Sequence, residues 1–137
     1  MPMLPHEVFK KMNSVKTKAD KVKILKDNES WGLKDIIRGA MDSNVKWLLP
    51  EGAPPYTPAG SNPPTNILRE NKKFGFFANT PQAKRLPAFK RESIFIGLLE
   101  GIHMEDAKIL IQMVNKETPS PLTRPIVEAA FPGLLTD

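Results

Sequence analysis

Between Trp47 and Leu68 the chain reads WLLPEGAPPYTPAGSNPPTNIL, with six of the protein's 14 prolines and no lysine, arginine or aspartate. Proline fixes φ, donates no backbone hydrogen bond and pushes the residue before it toward extended conformations. Neither a helix nor a central strand can run through such a segment, so regular structure must be built on either side of it. Yet Trp47, Leu48, Leu49 and Tyr56 are too apolar for a flexible linker, which favours glycine, serine and charge. The stretch 45–64 therefore reads as an ordered strap. Its anchors dock on a core, and its prolines reduce the entropy lost on ordering.

The flanks carry helical periodicity. Val8, Phe9, Met12 and Val15 form one apolar stripe. Thr17-Lys-Ala-Asp20 resembles a capping box, in which a hydroxyl and a carboxylate satisfy the free N–H groups of a helix start. The helix that follows turns Ala19, Val22 and Leu25 inward and Lys18, Lys21 and Lys26 outward. Another helix begins at Asn28 or Ser30 and carries Leu33, Ile36, Ile37, Ala40 and Met41 on one face. On the far side, Ile94, Phe95, Leu98, Leu99 and Ile102 make the strongest periodic signal in the chain. Gly97 and Gly101 on that helix permit close helix–helix approach. A second helix carries Ala107, Leu110, Ile111 and Val114. A short third helix starts at Thr123, with Pro125 in its first turn. Between the halves, Thr65 is a candidate cap for a turn through Ile67 and Leu68, and Thr80-Pro81 starts one or two turns. No hairpin signature or strict alternation appears.

The expectation is an all-α domain spanning 1–137, with five to seven short helices in two halves. A helical half 4–44, the strap 45–64, a basic irregular stretch 65–90 and a helical half 91–135 follow in order. A chain of 137 residues is long enough for one domain with its own core. There is no cysteine, so disulfides, thiolate zinc sites and cysteine nucleophiles are excluded. The opening MPMLPHEVFKK lacks the apolar core of a signal peptide, and no apolar run approaches a membrane span, so a cytosolic protein without membrane contact is expected.

Chemistry-bearing motifs are scarce. No Gly-rich phosphate loop, H-E-x-x-H pair, G-x-S-x-G elbow or carboxylate cluster with metal spacing is present. His103-Met-Glu-Asp106 pairs an imidazole with carboxylates, but Glu105 and Asp106 occupy a helix's first turn, where the macrodipole favours negative charge. No catalytic residue, metal ligand or cofactor is assigned. The sharpest functional feature is basic and aromatic: Arg69, Lys72, Lys73, Lys84, Arg85, Lys90 and Arg91 interleave with Phe74, Phe76, Phe77 and Phe89. Cations on phosphates with aromatics stacking on bases is how single strands are commonly held. Alternatively, the phenylalanines anchor the segment to the core and the cations solvate its outside. Within the strap, Pro54, Pro55 and Tyr56 beside Trp47 resemble ligands read as polyproline helices.

Four stretches, LKDNESWGLKDIIRGAMD, WLLPEGAPPYTP, KRESIFIGLLEGIHMEDA and IVEAAFPGLL, resemble a family of small uncharacterised proteins of T4-like myoviruses, phages of marine bacteria and cyanobacteria. The resemblance runs from about Val8 to Leu135, with LPEGAPPYTP and EAAFPGLL its specific parts and Ile67–Pro87 the least diagnostic. It brings no catalytic or binding residue with it. What it implies is context: a phage protein in the cytoplasm of an infected bacterium. The leading expectation is a non-enzymatic accessory or adaptor protein that binds phage or host replication or transcription machinery through Trp47, Pro54, Pro55 and Tyr56. The alternative is nucleic-acid binding by residues 69–91, and a further one is a minor virion component.

Overall fold

The computed structural model describes residues 3–137, and among these the chain forms eight α-helices. These are α1 (Pro5–Asn13), α2 (Lys18–Asp27), α3 (Trp31–Met41), α4 (Ile67–Glu70), α5 (Pro81–Lys84), α6 (Ala88–Gly101), α7 (Met104–Val114) and α8 (Arg124–Ala130). A 3-10 helix, Asn71–Phe76, joins α4 to α5. The only β-type pairing among the described residues is an isolated antiparallel bridge between Trp47 and Ala78. Among the described residues no helix is long and apolar enough to cross a membrane.

The all-α reading holds, with corrections in detail. There are eight helices rather than five to seven, because the stretch 65–90 is not irregular. It contains α4, the 3-10 helix and α5, and α6 begins at Ala88, ahead of the expected 91. The cap of α4 is Asn66, whose side chain accepts from the Arg69 N–H, while Thr65 instead donates its hydroxyl to Glu70. Thr17, Ser30, Thr80 and Thr123 each cap a helix by accepting the N–H three residues on. Such a bond satisfies one of the donors that a helix start leaves free.

One core joins both flanks of the proline-rich connection. Helix α2 packs on α8, α3 on α7, and α1 on both α2 and α7. Val8, Met12, Leu25, Ile36, Ile37, Leu99, Leu110 and Met113 are fully buried at their meeting. Each such side chain contributes about 1.5–3 kcal/mol by area. On α2 the inward face differs from expectation: Ala19 is exposed, Ile24 takes the core position, and Lys21 turns back to donate to the Val15 carbonyl at 2.6 Å.

The glycines that matter for packing lie on α3. A Cβ on Gly39 would stand 2.5 Å from the Trp47 ring and 2.7 Å from the Met113 sulfur, and one on Gly32 would stand 2.9 Å from Leu68. Gly97, by contrast, has open space around it, and Gly101 meets Thr65 rather than a second helix. The close helical approach expected of that pair is absent, since no residue of another helix stands within 4 Å of either position.

Candidate functional site

The proline-rich connection lies along α6 and the end of α7, held by hydrogen bonds at intervals. The Leu48 N–H donates to the Phe77 carbonyl at 2.8 Å. The Arg91 guanidinium donates to the Leu48 carbonyl at 3.0 Å. Gly52 and the Asn115 amide bond each other in both directions, at 2.8 and 3.1 Å. Further on, Thr57 donates its N–H to the Glu100 carboxylate at 2.8 Å, and Thr65 donates to the Gly101 carbonyl at 3.0 Å. Asn and Glu side chains thus take up backbone groups that the prolines leave without neighbours to pair with.

Trp47 anchors the near end. Its indole N–H donates to the Gly39 carbonyl at 2.9 Å, and its ring packs on Phe74 and Phe77 at centroid distances of 5.9 and 5.6 Å. Trp47, Leu49 and Tyr56 are partly buried against the core, and Pro54 is half-buried while Pro55 is exposed. Trp47 is therefore chiefly an internal anchor, and the surface that remains for a partner lies farther along, at Pro54 and Pro55.

There the connection and α6 enclose a groove of about 310 Å³. Leu49, Pro50, Pro54 and Pro55 form one wall, and Phe95 and Ile96 the other. Its only charged lining residues are Glu51 and Glu92. Neither carboxylate has a hydrogen-bond or ion-pair partner among the described residues. A second, more open concavity borders it through Leu49 and Glu51 and runs toward Asn115 and Lys116.

The basic stretch is divided by the fold. Arg69, Lys72, Lys84, Arg85 and Lys90 are exposed, whereas Lys73 pairs with Glu70 at 2.9 Å. That pairing, with the Thr65 hydroxyl, holds the Glu70 carboxyl below its usual range. Arg91 is half-buried, and besides Leu48 it donates to the carbonyls of Ala83 and Leu86, so it belongs to the scaffold. Phe74 is 6% exposed and Phe77 is fully buried, which removes both as stacking platforms. Phe76 and Phe89 remain outward, at 39% and 71% exposure.

The structure also brings together groups that sequence reasoning left apart. His6 on α1 stacks on His103 at the start of α7, with ring centroids 4.1 Å apart. The Asp106 carboxylate, fully buried, accepts both the backbone N–H and the ring Nδ1 of His6, at 2.9 and 3.0 Å. His103 Nδ1 accepts the Glu105 N–H at 3.0 Å. In their neutral forms the two rings thus carry their protons on opposite nitrogens, Nδ1 of His6 and Nε2 of His103. Burial pushes the Asp106 carboxyl above its usual range, against the hydrogen bonds and charge of His6. The cluster staples two helix N-termini, where a carboxylate is favoured by both macrodipoles. No hydroxyl, amine or thiol hydrogen-bonds either ring among the described residues, and no group of three or more metal-binding side chains forms there. The one available signal was Asp106 in a helix's first turn. Its partner lies 100 residues away, beyond the reach of any local pattern.

No curated protein matches this chain. Residues 8–120, which include most of α1, the connection and α7, match a family of unknown function, DUF6433. With most of its length inside that match, the chain belongs to the DUF6433 family.

Proposed function

We propose that this protein is a non-enzymatic accessory protein of a T4-like phage that binds a phage or host protein of the replication or transcription machinery in the cytoplasm of an infected bacterium. Its binding face is the outer side of the proline-rich connection together with α6. The observation that carries this reading is the apolar groove between them, about 310 Å³ and walled by Pro54, Pro55 and Ile96. Ligand cavities run from about 300 to 1,000 Å³, and this one, at the lower end, has room for one or two large side chains. The phage setting rests on the four sequence stretches that resemble the myovirus family.

Affinity capture of the tagged protein from infected cells, with and without nuclease, tests the reading. The expected result is a protein partner that survives nuclease and is lost with Ile96→Glu, a substitution at the groove that leaves the helical circular dichroism unchanged. A partner released by nuclease would instead support single-strand binding, which Phe76 and Phe89 beside exposed cations favour. In that case affinity should fall with salt at a log–log slope of about −3.5 for the exposed Arg69, Lys72, Lys84, Arg85 and Lys90, at ~0.7 per contact.

A further inference from the structure

We infer that the groove between the proline-rich connection and α6 receives a segment of a partner protein that presents a large apolar side chain next to a lysine or arginine. This rests on the protein-binding reading above and adds the chemistry of the partner.

Shape comes first. The connection wall is built on Pro50, Pro54 and Pro55, which have no N–H to offer an incoming strand. A regular β-ladder along this wall is thereby interrupted, and the occupant is held chiefly by its side chains. The wall is also held in place before anything binds, by Arg91 on Leu48, Asn115 on Gly52 and Glu100 on Thr57. A preformed groove spares the ordering cost that a mobile loop would impose on binding. Its apolar floor, with Phe95 buried below and Ile96 half-buried beside it, favours an aliphatic or aromatic side chain.

Charge then selects the neighbour. The protein carries a formal net charge of +5, yet the groove's charged lining is two carboxylates, Glu51 and Glu92. Both lack a partner among the described residues, while the adjacent cation Arg91 is committed to three backbone carbonyls. Glu70 on α4 and Glu100 farther along α6 are by contrast engaged by Lys73 and Thr57. Two free carboxylates flanking an apolar slot attract a cation set close to the inserted side chain, and they repel acidic segments.

The test is selection of short random peptides on the full chain, followed by titration and mapping of the selected peptides by amide NMR. Selected peptides should carry a large apolar residue within a few positions of lysine or arginine and shift the amides of Ala53, Phe95 and Ile96. Glu51→Gln with Glu92→Gln should weaken them about tenfold, the loss that two solvent-edge ion pairs allow. Peptides that map to the groove without a cation, or that ignore the double substitution, would overturn the charge inference and leave the groove reading standing. If no selected peptide moves the groove amides, both fail. Self-association in sedimentation, abolished by the same double substitution, would make a second copy the occupant and overturn the partner-protein assignment.

Discussion

Asp42, at the C-terminal end of α3, has its side chain wholly buried. One carboxylate oxygen accepts the backbone N–H and the hydroxyl of Thr136, each at 2.8 Å, and the other accepts the Asn44 N–H at 2.9 Å. Burial pushes this carboxyl up, but the hydrogen bonds from Thr136 and Asn44 outweigh it and leave the group below its ordinary value of 3.8. A carboxyl lowered in the folded state adds stability that is complete above the unfolded value and is lost as pH falls through the folded one. Asp42→Asn, which sets an NH₂ against the Thr136 donors, should cost about 2 kcal/mol at neutral pH, in the range for hydrogen bonds to charged groups. Denaturant melts across pH should show the difference constant above about pH 5 and shrinking below 3.8. A penalty independent of pH would mean that packing, and not the charge, holds the C-terminal residues to α3.

Between elements, α6 is tied to its neighbours by Arg91, and the role is architectural. Its guanidinium spans the carbonyls of Leu48, Ala83 and Leu86, joining the connection and the end of α5 to the first turn of α6. The fork reaches these carbonyls from two nitrogens in fixed directions, Nε to Leu48 and one terminal nitrogen to Ala83 and Leu86, an arrangement that the single nitrogen of a lysine at this position does not reproduce. Arg91→Met should therefore lower stability by about 2 kcal/mol, and Arg91→Lys should recover only part of it. Lys90→Met, one residue away and fully outward, should stay within ~0.5 kcal/mol. Thermal melts of the three variants separate these outcomes, and equal effects at 90 and 91 would contradict the assignment. Lys116 acts likewise across α3 and α7. Its backbone takes a left-handed turn at φ 57°, and its ammonium donates to the carbonyls of Gly39, Asp42 and Val45 at the end of α3. A cation there also complements the negative end of the helix dipole.

Across the whole molecule, the two flanks of the proline-rich connection share one core. Helix α2 leans on α8, α3 on α7, and α1 on α7, while His6 and Asp106 bond across 100 residues. Helices of 9, 10 and 11 residues, as α1 to α3 are, fall below the length at which isolated helices persist in water. A fragment of residues 1–44 should thus show little helical circular dichroism and no cooperative melt. Adding the complementary fragment 45–137 should restore both. A fragment 1–44 that melts cooperatively alone would mean that the two flanks are independent units.

What the sequence determined by itself was local. The periodic stripes on α3, α6 and α7 mark their core faces, and the hydroxyls of Thr17, Ser30, Thr80 and Thr123 mark helix starts, because both signals act within a turn or two of the chain. Proline density likewise excluded helix and central strand from the stretch 45–64. The tertiary structure decided everything that depends on which surfaces meet. It turned Phe74 and Phe77 into core while leaving Phe76 and Phe89 outside, although all four look alike in the chain. It withdrew Arg91 and Lys73 from a uniform row of cations by giving them partners. It also set His6 on His103 and placed Glu51 and Glu92 at the rim of one apolar groove. Burial and pairing are properties of the packed chain: a residue's type limits its possible partners, but only the approach of distant helices selects one of them.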